Sequence, residues 1–362
     1  MSSDPRVVEY ARLLVERCVD VQPGWQVGVS SAHIARPLVV EVIRLIARRG
    51  AFALPRIAVT ESLLPRDPTW AAEAPEELLS TLPPLEQAYW DGIDADIVIF
   101  APDNTRAGSE VSPERQALLR ESMRPIIPRI LNYDIKWVAC MYPTPAIAQD
   151  AGMATAAFAD FLYGACLRDW DAEAKRMRRI ADRFDAADEV NITGVDTDIS
   201  FSLAGRHGEV DAGKANMPAG EVFYSPVEDS ANGVVTFGEY PAWYGGHQLR
   251  GVRLRFEKGR IVEASAENDE DFLLATLDTD EGARRLGEFG IGCNEGIDRA
   301  YGNPLFDEKI YGTIHLAIGA GFPMLGGTNE SAVHWDIVKE LRTGGEIHLD
   351  GELVQKNGEW QF

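Results

Sequence analysis

The texture of this chain changes once, near residue 187, and that change constrains the fold more than any single motif. Before it, apolar residues alternate between helical and strand periods. Val7, Tyr10, Leu13, Leu14 and Cys18 recur at helical spacing from Asp4 onward, and Pro23-Gly24 closes the pattern. A short apolar strand at 26–29 follows, then a helix over 37–49 carrying Val39, Val42, Ile43 and Ile46. Further strand-like runs lie at 52–59, 96–100 and 136–141. Between the last two, Ser112-Pro113-Glu114 has the form of a capped helix start ahead of Leu118, Leu119 and Met123. Strands alternating with helices predict an open, mostly parallel sheet covered by helices. Neither of the glycine-rich phosphate-binding loops follows any of these strands, so the half is Rossmann-like in layout only.

One charged helix is expected over about 155–185, bridging the two halves. Beyond it, short strands are bounded by Gly, Asn and Asp, at 190–193, 198–203, 221–224 and 234–237. The runs 249–256 and 261–266 flank Glu257-Lys258-Gly259, a hairpin signal, and one helix over 269–286 interrupts them. The expected organisation is an α/β, Rossmann-like N-terminal domain over 1–187 and a strand-rich α+β C-terminal domain over 188–362. The 362 residues suffice for two cores.

Charge excludes whole classes of partner. The chain carries 57 acidic against 35 basic side chains, a net −22. Such a surface repels phosphate backbones and anionic membranes, so neither is expected as a partner. No eighteen-residue apolar run and no basic-then-apolar leader is present. Cys18, Cys140, Cys166 and Cys293 are widely separated and form no C-x-x-C pair. They read as reduced, buried thiols of a cytoplasmic protein and make a thiolate metal site improbable on spacing.

The second half holds the chemistry. On a strand, His334 and Asp336 share one face and Trp335 takes the other, where it reads as core packing. His348 and Asp350 repeat the spacing, but Asp350-Gly351 lies between two strand-like runs and reads as a hairpin turn. In the alternating run 313–319, His315 is flanked on its own face by small Thr313 and Ala317. Taken singly, it reads as a core histidine bonded to a carbonyl before it reads as a ligand. Glu288 shares a face with Gly290 and Gly292 while Phe289 and Ile291 point inward. It reads either as a paired, buried carboxylate or as an edge-strand residue beside a bulge. Glu221 opens a short strand after Pro218-Ala219-Gly220, aimed into a cleft or solvated in the turn.

Together, two Glu, two His and one Asp follow one another at separations of 67, 27, 19 and 2 residues. Five oxygen and nitrogen donors suffice for two adjacent divalent cations with a bridging carboxylate. The donor set suits Zn²⁺, Co²⁺ or Mn²⁺.

The runs NMPAGEVFYSP, LGEFGIGCNEGI, NPLFDEKIYGTIHLAIG and NESAVHWDIV, in that order, resemble the thermophilic metalloprotease family of aminopeptidases, the aminopeptidase T and aminopeptidase S group. The resemblance is strongest from about residue 216 onward. It implies a two-metal site whose ligands fall, motif by motif, on Glu221, Glu288, His315, His334 and Asp336, the same five residues. It also implies a metal-dependent aminopeptidase acting on peptides through a two-metal-activated water, and a homodimer. A weakly coordinated Glu288 could shuttle the proton. One departure stands out: better-studied members read A-Y-P after the first ligand His, with the Tyr thought to assist catalysis, whereas this chain has Gly321-Phe322-Pro323. Phe322 cannot donate a hydrogen bond.

Two rivals follow. His315, His334 and Asp336 alone could form the two-His, one-carboxylate iron site of an oxygenase, and ring-opening dihydroxypyridine dioxygenases are similar to this family. That branch is expected to have an apolar residue in place of Glu221 and a His in place of Glu288, and to lack His315, so all three residues favour a hydrolase. A non-catalytic metal-binding relative is the other rival, with Phe322 as its support.

Overall fold

In the computed structural model, which describes residues 4–62 and 64–362, the alternation of the first half becomes a five-stranded, wholly parallel sheet. Its strand order is Phe52–Ala58, Gln26–Ala32, Ala95–Phe100, Lys136–Met141 and Asn216–Met217. The inner strands bury Val27, Val29, Ile97, Ile99, Val138 and Cys140, as strands covered on both faces must. The edge strand Phe52–Ala58 leaves Phe52 and Ile57 exposed. Asp4 caps the first helix, Pro5–Arg12, by accepting from the Arg6 N–H, and the helical spacing runs on to Cys18 as a π-helical segment, Leu13–Cys18. Ser112 caps Pro113–Ser122 through its hydroxyl.

By its contacts the chain divides into two units. One comprises the residues up to Leu167 with Gly213–Pro218; the other comprises Arg168–Ala212 with Ala219–Phe362. The sequence boundary near 187 leaves the charged helix on the first side, but in the structure that helix is two. Thr155–Cys166 ends, and Asp169 caps a new helix, Trp170–Asp185, by accepting from the Asp171 and Ala172 N–H groups. The second helix is grouped with the second unit because Phe184 packs on Tyr224 and Phe289 there. The helix expected over 269–286 is also shorter, Glu270–Leu277 with a 3₁₀ turn at Gly282–Arg284, because Leu286 already begins a strand.

The second unit is strand-rich and antiparallel. An eight-stranded sheet contains the hairpin Val252–Glu257/Arg260–Ser265 and the hairpin Glu346–Leu349/Glu352–Lys356 turned by Asp350-Gly351. A five-stranded sheet runs in the order His334–Lys339, Ile314–Gly319, Leu286–Gly292, Glu221–Tyr224, Glu209–Asp211. The two sheets meet through Phe289 and Phe201, ring centroids 5.0 Å apart. Because strand side chains alternate, Phe289 in the core sends Glu288 to the sheet's other face. Among the described residues all four cysteines are buried thiols outside any disulfide, as their spacing suggests. Among the described residues, no helix is long and apolar enough to cross a membrane.

Candidate metal centre

Register assembles the centre. Glu288, Ala317 and Asp336 lie side by side across three strands, and small Ala317 leaves room between the two carboxylates. One row along, Gly290 pairs with His315, and a further row pairs Gly292 with Glu221. Gly290 is required: a Cβ there would lie 1.9 Å from His315 Cε1, so only glycine admits the imidazole. Gly220, at φ +116°, delivers the chain into the Glu221 strand, and a Cβ there would press on Asn294. Two bland readings give way: Glu288, though beside a register irregularity, lies on a central strand and is 5% exposed, and Glu221 is 6% exposed. His315, 1% exposed, does meet a backbone carbonyl through Nδ1, while its Nε2 faces the carboxylates. Trp335 is core, stacked on Tyr244 at 5.1 Å.

The five side chains form two triads that share Glu288. In one, His315 Nε2 is 3.3 Å from Glu288 Oε1 and 3.6 Å from Glu221 Oε2; in the other, His334 Nε2 is 3.1 Å from Glu288 Oε2 and 3.7 Å from Asp336 Oδ2. Bonds of about 2.0–2.2 Å in a tetrahedral shell separate ligand atoms by about 3.3–3.6 Å, so the triads have the spacing a cation demands. Among the described residues Glu221 Oε2 and Asp336 Oδ1 are buried and accept no hydrogen bond, an arrangement that a cation would satisfy. Each imidazole is aimed by a carbonyl: His315 Nδ1 lies 3.1 Å from Glu308 O, and His334 Nδ1 2.9 Å from Ala320 O. Both Nε2 atoms are thereby turned inward. The residues present fit divalent metal.

Residues 3–360 match the family described as thermophilic metalloprotease (M29). The chain belongs to that family. Aminopeptidase 2 of Geobacillus stearothermophilus is 27% identical over 98% of this chain and 97% of its own length. Aminopeptidase AmpS of Bacillus subtilis is 34% identical over 46% of this chain, and there the chain spans 47% of the relative's length. The fold is that of AmpT from Thermus thermophilus, with a TM-score of 0.81 at 23% identity over 99% of both chains. The 2,5-dihydroxypyridine dioxygenase of Pseudomonas putida shares the fold more distantly, with a TM-score of 0.60 at 16% identity over 99% of this chain and 98% of that one.

Within this metalloprotease fold the electrostatics are strongly coupled. Burial pushes Glu221 up to about 8 in spite of nearby Lys309, and burial followed by the neighbouring Glu288 pushes Asp336 up to about 6. At Glu288 burial also opposes ionisation, but bonds from His315 and His334 overcome it and hold the carboxyl down to about 2. Burial would lower both histidines; the carboxylates outweigh it and raise each to about 10. Cation binding displaces protons from such a site.

Sequence reasoning missed the residues behind the ligands. Asp307, Glu308 and Lys309 have no role in the sequence reading, yet Lys309 is fully buried with its ammonium 3.2 Å from Glu221 Oε1 and in contact with Glu308. Asp307 accepts from the N–H groups of Tyr301, Gly302 and Asn303, fixing the loop that presents Glu308 O to His315. Their signal was their place six to eight residues before His315, inside one of the quoted runs. Phe322 packs edge-on against His334 and Phe223, at 5.3 Å from each, and its N–H donates to Ser225 Oγ.

Proposed function

We propose that this chain is a metal-dependent aminopeptidase, with Glu221, Glu288 and His315 holding one divalent ion and Glu288, His334 and Asp336 a second. The observation that carries the reading is the division of Glu288, one oxygen facing each triad. The all-oxygen-and-nitrogen donor set favours Zn²⁺, Co²⁺ or Mn²⁺. Bound ions of this kind supply Lewis acidity at a peptide carbonyl and lower the pKa of water.

The protein's own groups do the rest. A small cleft lined by Pro241, Trp243, Pro304, Asp307, Glu308, Asp336 and Val338 opens at Asp336. Its acidic rim suits the ammonium of a free peptide N-terminus, while Trp243 and the prolines offer apolar contact. Glu288, within reach of both imidazoles, would carry the proton with one oxygen released from its ion, since a carboxylate coordinated through both oxygens is no base. Phe322 lines the His334 side with a ring that has no donor, so it excludes water without stabilising an oxyanion.

The test strips the full chain with a chelator and reloads it with Zn²⁺, Co²⁺ or Mn²⁺. Peptides with free N-termini should be cleaved and their N-acetylated counterparts spared. Glu288→Gln should lower turnover by at least about a hundredfold with the circular dichroism spectrum unchanged. Stoichiometric metal without cleavage of any peptide would leave a binding protein. One tightly held iron per chain, with oxygen uptake on a dihydroxylated ring, would replace the peptidase by an oxygenase.

A further inference from the structure

The two triads differ in one respect that their shared glutamate hides. Lys309, completely buried, sets its ammonium 3.2 Å from Glu221 Oε1 and against Glu308, with Asp211 as a further acidic neighbour. It thereby engages one oxygen of Glu221 and leaves the other, Oε2, turned toward His315. Among the described residues, Glu288 and Asp336 pair only with histidines. An ammonium therefore stands beside one half of the centre and not the other, with Glu308 and Asp211 as its own counter-charges. At such separations inside protein, one unit charge acts strongly on a divalent ion.

We propose that Lys309 makes the centre unequal: it holds Glu221 for single-oxygen coordination and opposes a cation there, so that the Glu221/His315 half is the weaker, exchangeable one. This rests on the two-ion reading above. Lys309 is a positioning residue, acting through Glu221 and touching no substrate.

The test is a Co²⁺ titration of the metal-stripped full chain at pH 8, followed by visible absorption and calorimetry. The native protein should bind in two steps. Lys309→Met should tighten the second step by about tenfold or more and leave the first within about threefold. Lys309→Arg should keep the gap. Glu308→Gln, which strips the ammonium of a partner, should shift the second step the opposite way, to about threefold weaker or more. It also serves alone should Lys309→Met fail to fold. A merely structural role would weaken binding in both variants. Two equal steps in the native chain, or a second step unmoved by Lys309→Met and Glu308→Gln, would overturn the proposal while leaving the metal centre standing. Absence of Co²⁺ binding, or full binding in Glu288→Gln, would instead remove the two-ion reading beneath it.

Discussion

At the scale of single residues, the centre depends as much on what is missing as on what is present. Gly290 has no side chain where the His315 ring lies, and its backbone is ordinary strand, so alanine fits the chain but not the neighbour. Gly290→Ala should retain the fold, displace the ring and weaken Co²⁺ binding by about tenfold or more, read by titration. Unchanged affinity would mean that His315 is not a ligand. In the first unit, Asp96 illustrates the cost of an unrelieved carboxyl: it is 4% exposed, its Oδ1 accepts no bond, and burial pushes it up to about 6 despite Arg56. The unfolded chain ionises near 3.8, so between about pH 4 and 6 the native state binds the extra proton, and stability falls as pH rises through that window. Asp96→Asn should flatten that slope and stabilise the protein at pH 7 by about 3 kcal/mol, measured by urea unfolding across pH. The five proposed ligands were legible because His and Glu on glycine-flanked, alternating strands have few other uses. Lys309 was not, since only the fold reveals that a charge run beside a loop has turned inward.

At the scale of elements, periodicity told strand from helix well and located breaks poorly. The parallel strands of the first unit and the four strands that carry the proposed ligands, one of them at the sheet edge, follow directly from their alternation. The continuous helix expected over 155–185 failed for a local reason. Arg168 and Asp169 are compatible with a helix interior by composition, but Asp169 gains more by turning its carboxylate onto the N–H groups of Asp171 and Ala172. Within the second unit, Trp170–Asp185 packs Phe184 onto Phe289, the residue behind Glu288. Asp169→Ala should therefore cost about 1 kcal/mol in chemical denaturation, with Asp169→Asn nearly neutral. Equal losses in the two variants would point to the charge rather than the cap. Sheet order was equally hidden: no local pattern announces that the Glu221 strand pairs with the Glu288 strand across 67 residues.

At the scale of the whole molecule, the net charge of −22 divides into a solvated majority and a small buried group that acts differently. Surface carboxylates repel one another through water, and salt screens them. Among the described residues, Glu221, Glu288 and Asp336 share only Lys309 and two histidines as positive partners, and leave two oxygens without hydrogen bonds. Ions that bind this arrangement bind the native state alone, because the unfolded chain scatters the donors over 115 residues of sequence. Each ion at a hundredfold its dissociation constant then adds about 2.7 kcal/mol. For two ions on a chain of this length, that corresponds to a melting temperature raised by about 5 °C or more. Chelation should remove this increment, and Zn²⁺ or Co²⁺ should restore it. Sodium chloride at the same or far higher concentration should not, since a screening ion does not enter a coordinating site. Glu288→Gln should melt at one temperature with or without metal. A midpoint that follows ionic strength and ignores the chelator would return all three carboxylates to the surface population and leave the centre without a cation to hold.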